Sequence, residues 1–383
     1  MWGVLVCGCL FCVSPRPSSA AAQAHGPSLN EAGASRIDST EKDPLSRLAV
    51  RGDSRFRFEN NARWGDGRVR SRLVFRVRLG ATYSINEYVS GGLRLATGDP
   101  DDPNSTDVTI SDFTDDFAVS LDRAFLRYDA EAVSVTGGKF ENPFLSTDLV
   151  WDGDVNPQGA GGTVTGPRIA GVRPTLVGLF HLIDEDPEGP NSVMGGGQFV
   201  LRSPRDGPFQ ATGGVTYYDY EINSLETAGP GDVRSNRLNP EETAFRSDFN
   251  LVDLLARVTY EGGGPQWPVQ ATLNYVHNAG AVDDEDDGFR AAVRAGRNTE
   301  HGDVQLRYGY SRVETDAVLA AFSNDNITLP TNYRQHAVTV DYVMLPATVL
   351  NLTWYLYRLL RTDANGIDEG PRSRLRLNLS VSF

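Results

Sequence analysis

The chain has very little cysteine and almost no lysine. Its 383 residues include three cysteines, Cys7, Cys9 and Cys12, all near the amino terminus. Disulfide and thiol chemistry is therefore excluded for the rest of the chain. Two lysines are present, Lys42 and Lys139, so arginine carries nearly all the positive charge. Guanidinium groups remain protonated in proteins and bind carboxylates in a planar, two-pronged geometry.

Long hydrophobic runs are also missing. Beyond residue 24, no apolar run approaches the roughly 20 residues that a membrane-spanning helix requires. A strand that crosses a bilayer needs only about ten alternating residues, so a β-type membrane protein is not excluded. Acidic residues outnumber basic residues by 50 to 36, and the net charge of −14 argues against nucleic-acid binding.

The amino-terminal segment has the composition of a secretory signal. Residues 2–13 are almost wholly apolar or small, and Ala22-Gln23-Ala24 fits the small-x-small cleavage rule. We therefore expect residues 1–24 to be a signal peptide and residues 25–47, which lack periodicity and aromatics, to be a flexible periplasmic lead-in. No basic residue precedes the apolar run, which leaves the choice of Met1 as the start open. A lipoprotein signal at Cys7 or Cys12 is the alternative.

From residue 48 to the end, apolar and polar side chains alternate in short segments. This period of two is typical of a β-strand with one apolar and one polar face. The last segment places Leu375, Leu377, Leu379, Val381 and Phe383 on one face. Two segments begin at Leu48 and Arg68, and further segments begin near these residues: Tyr88, Leu121, Val133, Thr175, Met194, Phe209, Phe249, Trp267, Phe289, Val304, Arg334 and Val349. A weaker segment over 163–172 would bring the number of strands to sixteen.

These segments predict an all-β fold, a transmembrane antiparallel up-and-down β-barrel of about 16 strands over residues 48–383. The chain ends on an alternating segment with a terminal aromatic residue, Phe383. That ending resembles the closing strand of bacterial outer-membrane barrels, in which it is the signal for the barrel assembly machinery. We expect the long acidic connections to lie outside the cell: 98–116, 184–192, 224–242, 283–287 and 315–331. The aspartates of 98–116 predict a solvated acidic loop that divalent ions would bridge to lipopolysaccharide.

Several ordered motifs over residues 51–160 resemble the family of bacterial putative porins. They are Arg51-Gly52-Asp53, Leu93-Arg94-Leu95-Ala96-Thr97-Gly98, Gly137-Gly138-Lys139, Asn142-Pro143-Phe144, Asp148-Leu149-Val150-Trp151-Asp152 and Asn156-Pro157-Gln158-Gly159. The resemblance implies a channel in the bacterial outer membrane, with outer-membrane lipid as a partner and a homotrimer as the expected assembly.

Arginines concentrate on the polar face of the first strands. We predict that they line the pore, because each would cost about 2–4 kcal/mol near the middle of the lipid layer. Two interpretations remain open: a scaffold of arginines paired with acids, or an electrostatic constriction that selects charged solutes. The predicted pore-lining residues are Arg51, Arg55, Arg57, Arg68, Arg70, Arg72, Arg76, Arg78, Arg94, Arg123 and Arg127.

The segment 141–166 is the candidate constriction loop. It is long and rich in glycine, and it carries Asp148, Trp151, Asp152 and Asp154. Folded inward, these carboxylates would face the arginines and set a field across the pore. The alternative is an ordinary extracellular loop.

We predict a passive porin for small hydrophilic or charged solutes, which is not an enzyme and has no cofactor or metal. The five histidines show no metal-ligand spacing, and no nucleophile elbow or phosphate-binding loop is present. The alternatives are a structural or adhesive barrel, an outer-membrane hydrolase, and a soluble periplasmic β-sandwich.

Overall fold

Side-chain alternation along the chain produces sixteen long strands. The computed structural model describes residues 44–63, 69–100, 102, 104–110, 116–361 and 370–383. The predicted signal peptide, most of the predicted lead-in and Arg68 lie outside these residues. The strands are β1 (Leu48–Arg63), β2 (Val69–Ser84), β3 (Val89–Thr97), β4 (Val119–Asp129), β5 (Val133–Lys139), β6 (Gln158–Thr165), β7 (Arg173–Asp184), β8 (Ser192–Arg202), β9 (Phe209–Glu221), β10 (Phe249–Tyr260), β11 (Val269–Asn278), β12 (Asp287–Gly296), β13 (Val304–Val313), β14 (Tyr333–Leu345), β15 (Thr348–Leu359) and β16 (Arg372–Ser382).

The sixteen strands close into one antiparallel barrel. Each strand pairs with its neighbours in the chain, and β1 pairs with β16 in a register that sets Phe56 opposite Leu379. Gly52 and Phe383 complete this seam with two backbone hydrogen bonds of 2.8 and 2.9 Å. The predicted all-β barrel of sixteen strands is confirmed. A two-residue strand, Val108–Thr109, pairs with β2, and short helices lie at Pro44–Arg47 and Pro230–Val233.

The outer face of the barrel is apolar. Phe56, Phe58, Leu377 and Leu379 are all at least 40% exposed, and each is the outward member of an alternating pair. An apolar band of this kind is what a lipid bilayer accommodates. In the part of the chain that the structure describes, no helix is long and apolar enough to cross a membrane.

The strand starts lie within two residues of the predicted ones, with one exception. The segment predicted over 163–172 forms a strand only as far as Thr165; the strand begins at Gln158, and residues after Thr165 form a turn with an Ile169–Val172 bridge. The reason is glycine: Gly161 lies under the Phe140 ring, which a Cβ would meet at 2.9 Å. The small residues of this strand leave room for the packed loop, so the strand lacks the alternation of large apolar and polar side chains by which the other strands were predicted. The predicted constriction loop is correspondingly shorter, at residues 140–157.

The two ends of the barrel differ. Short connections, such as 130–132 and 346–347, lie at the end that also holds the start of β1 and the end of β16. In bacterial outer-membrane barrels this end faces the periplasm. At the opposite end, long connections fold back inside, and two of them carry the apolar packing. They are residues 140–157 and 314–332, in which Trp151, Val318 and Phe322 are buried. The expectation that 315–331 extends outside the cell is therefore wrong, because its apolar centre packs inside the barrel.

Candidate pore wall and constriction

The inner face of β1 and β2 carries a row of arginines. Arg57, Arg76 and Arg78 are at most 7% exposed, whereas Phe56 and Phe58 on the opposite face are exposed. Because strand side chains alternate with period two, the other predicted arginines of these strands that the structure describes share this inner face. They are Arg51, Arg55, Arg70 and Arg72.

Carboxylates on β1 pair with these arginines. Asp53 accepts hydrogen bonds from Arg76 at 2.7 Å and from the Nε of Arg78 at 2.8 Å. Glu59 is fully buried and pairs with Arg72 at 2.8 Å. An isolated buried charge would be costly, and these pairs remove most of that cost. We call these hydrogen-bonded arginines of the inner face the arginine wall.

The connection between β3 and β4 adds a further acid to the wall. Asp107 accepts from Arg57 at 2.6 Å and also pairs with Arg55. Burial by itself would raise the pKa of the Asp107 carboxyl, but Arg55 and Arg57 hold it well below its usual range. Asp107 is therefore ionised at neutral pH and ties this connection to the inner wall.

The arginines of β3 and β4 have partners of their own. Arg94 pairs with Asp122, which lies on β4 next to a register shift. Arg123 donates to Glu141 at 2.8 Å and to the side chain of Asn156 at 2.7 Å. Both of those residues belong to the inward loop. Arg127 is 41% exposed at its side chain and pairs with Asp129 at 2.9 Å.

Two arginines that the sequence analysis did not assign to the pore belong to the same wall. Arg374 and Arg376 lie on β16 and are at most 5% exposed. Arg376 pairs with Glu59 at 2.7 Å across the seam that closes the barrel. Their alternation with leucines was visible in the sequence. Their proximity to Glu59 depends on the β1–β16 register, which joins residues more than 300 positions apart.

The inward loop, residues 140–157, is anchored to the wall at several points. Asp154 accepts from Arg78 at 3.0 Å, and Asn156 donates to Asp122 at 2.7 Å. On the far side, the backbone of Leu145 exchanges two hydrogen bonds of 2.8 Å with the side chain of Gln198 on β8. The loop therefore reaches from β2 to β8 across the barrel interior.

A second inward loop, residues 314–332, packs against the first. The rings of Trp151 and Phe322 are 5.4 Å apart, and the backbone N–H of Asp152 donates to the carbonyl of Phe322 at 2.7 Å. His181 and Tyr220 on the inner wall also contact the Phe322 ring. Apolar packing of the two loops occupies the side of the barrel opposite the arginine wall.

The three acids predicted for the constriction have different surroundings. Of the three, Asp154 alone pairs with an arginine of the wall among the residues that the structure describes. Asp148 accepts from Asn326 at 3.3 Å, and Asp152 accepts from the backbone N–H of Asp154 at 2.9 Å. Burial raises the pKa of Asp152 well above its usual range, and the nearby Asp325 adds to the effect. The carboxyl of Asp152 thus favours its neutral form.

One group of potential metal ligands is found among the described residues. His277, Asp286 and Asp287 lie at the rim that carries the long connections, with the His277 Nδ1 3.1 Å from Asp287 and 3.9 Å from Asp286. A histidine–carboxylate hydrogen bond accounts for this geometry. It lies on the outer face, away from the arginine wall.

Comparison with known proteins shows which family and which solved structures the chain resembles. Residues 45–230 match the family described as "Putative porin". No curated protein sequence matches the chain. Many solved structures share the fold, and three examples each align over 88% of this chain. OmpF of Salmonella typhi, solved with daunomycin, has 13% identity, a TM-score of 0.52 and 97% of its own chain covered.

The other two structures are similar in extent. The anion-selective porin from Comamonas acidovorans has 12% identity and a TM-score of 0.52, with 99% of its chain covered. OprB of Pseudomonas putida has 12% identity and a TM-score of 0.55, with 95% covered. At these identities the likeness concerns the fold alone. The family match covers β1 to β9, which hold most of the arginine wall and the first inward loop. The chain matches the putative porin family over residues 45–230 and has the fold of the β-barrel porins of the bacterial outer membrane.

Proposed function

We propose that this porin is a passive diffusion channel for small hydrophilic or charged solutes, with the arginine wall as its pore lining. The observation that carries the proposal is the ion pair between Arg78 and Asp154, at 3.0 Å. It joins the wall to a loop that has folded into the barrel. The path left to a solute then runs beside fixed guanidinium groups.

The wall retains an excess of positive charge. Among the described residues, nine arginines of the wall form ion pairs with six carboxylates. The arginines are Arg55, Arg57, Arg72, Arg76, Arg78, Arg94, Arg123, Arg374 and Arg376, and the acids are Asp53, Glu59, Asp107, Asp122, Glu141 and Asp154. Fixed charges in a narrow pore are screened less than on an open surface. The excess supports a preference for anions.

We assign the constriction to Asp148, Trp151, Asp152 and Asp154 of the first inward loop. The burial of Trp151 against Phe322 and the anchoring of Asp154 support a fixed rather than a mobile loop. In this arrangement both interpretations of the arginines hold. The paired arginines are a scaffold that positions the loop, and the excess positive charge selects charged solutes.

The remaining parts of the proposal concern processing and partners. Residues 1–24 act as a signal peptide, residues 25–47 as the periplasmic lead-in, and Phe383 as the signal for the barrel assembly machinery. Lipopolysaccharide and outer-membrane lipid surround the apolar outer face, and three copies form a homotrimer. The channel is non-enzymatic and uses no cofactor.

The test of the channel is conductance across a planar lipid bilayer. The purified, unheated chain should give discrete and ohmic current steps in potassium chloride. Heat-denatured protein from the same preparation is the control and should give none. A folded barrel without current steps would support a structural or adhesive barrel instead. Release of fatty acid from phospholipid vesicles, with no current, would support the hydrolase.

A further inference from the structure

A second group of arginines lies on the inner face of a different part of the barrel. Arg257 is on β10, Arg294 on β12 and Arg307 on β13. Each is two or three residues from the strand end at Tyr260, Gly296 or Val304. At about 3.3 Å per residue, all three lie within roughly 10 Å of the short-turn end of the barrel.

Alternation on these strands places the three side chains inside. Leu255 on β10 is buried, as are Gln305 and Ser311 on β13, and each shares the face of its arginine. On β12 the outward positions are Phe289 and Val293, both exposed. Arg294 is therefore inward, and it is also accessible to solvent. A solute in the barrel interior can reach it.

This group has fewer carboxylates than the arginine wall. Arg307 pairs with Asp341 at 3.0 Å. The structure shows no ion pair for Arg257 or Arg294 among the residues it describes. Arg294 lies directly opposite Arg307 in the strand register, and like charges at opposed positions destabilise a sheet. The positive charge of Arg294 also repels that of Arg257.

Unsatisfied donors point to a missing acceptor. The Nε atoms of Arg257 and Arg307 are buried and have no hydrogen-bond partner among the residues that the structure describes. A buried donor without an acceptor is destabilising, and more so when the group is charged. Between the arginines, β11 presents only neutral polar groups: Thr272 opposite Arg257, and Gln270 opposite Arg294. The Gln270 amide is held in place by a 2.8 Å hydrogen bond to Thr259.

We propose that Arg257, Arg294 and Arg307 bind a doubly charged oxyanion at the short-turn mouth of the channel. Among the described residues, these three guanidinium groups and the one carboxylate that pairs with them, Asp341, leave two positive charges, which match a dianion. Guanidinium groups bind oxyanions through paired N–H donors, and Gln270 and Thr272 add neutral donors. The inference rests on the proposed channel for its access route, but binding itself does not require current.

Inorganic phosphate at alkaline pH is the probe, and two measurements are made on the intact barrel. The first is block of the chloride current by phosphate in planar bilayers. The wild-type channel should be blocked saturably. The Arg257→Gln/Arg294→Gln variant should need at least about tenfold more phosphate for half-block, because it removes two guanidinium groups that donate charge-assisted hydrogen bonds to the anion. Arg168→Gln removes a charge from an exposed turn at the same end and should leave the block unchanged.

The second measurement is thermal unfolding of the wild-type barrel in detergent, which requires neither current nor a variant. Phosphate should raise the unfolding temperature more than sodium chloride at equal ionic strength, because a ligand of the folded state stabilises it. Chloride current without phosphate block, together with no thermal shift, would overturn the site and leave the channel intact. A missing current would refute the proposed channel. A rise in the unfolding temperature with phosphate would then still support the binding site, and no rise would overturn it. An equal loss of phosphate block in the Arg168→Gln variant would also overturn the proposed binding site.

Discussion

At the scale of single residues, the main finding is that most arginines of the wall are paired and a few acids organise them. Asp53, Glu59 and Asp107 each bind two or more guanidinium groups. Removing one partner of a buried pair leaves an uncompensated charge, which is far more costly than removing both. Substitutions in the wall are therefore best made so that partners can be compared in pairs.

The pair of Arg78 and Asp154 should show strong energetic coupling. Both side chains are below 10% exposed. We expect Arg78→Gln to lower the free energy of unfolding by about 3–5 kcal/mol, and the double-mutant cycle with Asp154→Asn to give a coupling of about 1–3 kcal/mol. The measurement is urea unfolding of the barrel in lipid vesicles. The exposed pair of Arg127 and Asp129 is the control, with about 0–1 kcal/mol expected. Equal coupling in the two pairs would contradict the anchoring role of Asp154.

Asp152 should make the stability of the barrel depend on pH. Its pKa is raised in the folded state by burial and by nearby acids, so the folded chain holds this proton more tightly than the unfolded chain. The stabilisation is complete below the unfolded pKa, about 3.9, and is lost as the pH rises through the folded pKa.

Asp152→Asn should therefore raise the free energy of unfolding at pH 7 by about 1–3 kcal/mol and change it little at pH 3. The isosteric amide can still accept from the Asp154 N–H. Asp148→Asn removes the same charge from a less buried position of the same loop and is the control. A gain of equal size at both pH values would show that the carboxyl of Asp152 is not held neutral.

At the scale of elements, two features control the interior and the closure of the barrel: the pair of inward loops and the β1–β16 seam. The apolar centre of residues 314–332 packs on Trp151 and fixes the first loop from the side opposite the arginine wall. Ion pairs of the loop with Arg78 and Arg123 on one side and aromatic contacts on the other hold the constriction in place.

Removing the Phe322 ring should loosen both loops. Phe322→Ala is expected to cost about 3–5 kcal/mol, as for a buried aromatic residue in a packed core. It should also increase open-channel current noise. Unfolding and single-channel recordings are made on the same preparation, with Phe180→Ala as the control because it removes an equal ring from the exposed outer face of β7. Quiet channels in the Phe322 variant would show that the loops do not depend on this contact.

The seam gives Phe383 a structural role beside its proposed one in assembly. Its ring covers Gly52, where a Cβ would meet the ring carbons at 2.5 Å, and its backbone pairs with that glycine. We expect Phe383→Asp to reduce the amount of barrel in the outer membrane several-fold while secretion continues. Fractionation of cells, with refolding in detergent as a second readout, separates assembly from stability. Normal membrane levels would contradict the assembly role, and Leu45→Asp, which alters an exposed residue before β1, is the control.

At the scale of the whole molecule, alternation in the sequence was sufficient for the fold. Strand starts from Tyr88 to Val349 were predicted within two residues because period two is local information. The segment around Gly161 was misplaced because its small residues serve a loop that packs over it. The inward position of 314–332 had a signal, the apolar run Val318–Phe322 within an otherwise acidic connection. The pairing of Arg376 with Glu59, and the gathering of Arg257, Arg294 and Arg307, depend on strand register and closure, which no local pattern encodes.

The central claim is that the excess positive charge of the arginine wall sets the selectivity of an open channel. The most direct test is the reversal potential across a bilayer under a potassium chloride gradient, for the wild type and for Arg70→Gln/Arg72→Gln/Arg76→Gln, with thermal stability recorded for both. The wild type should show anion preference, and the triple variant should shift toward cations while it still forms open channels. An unchanged reversal potential in open channels of the triple variant would contradict the claim.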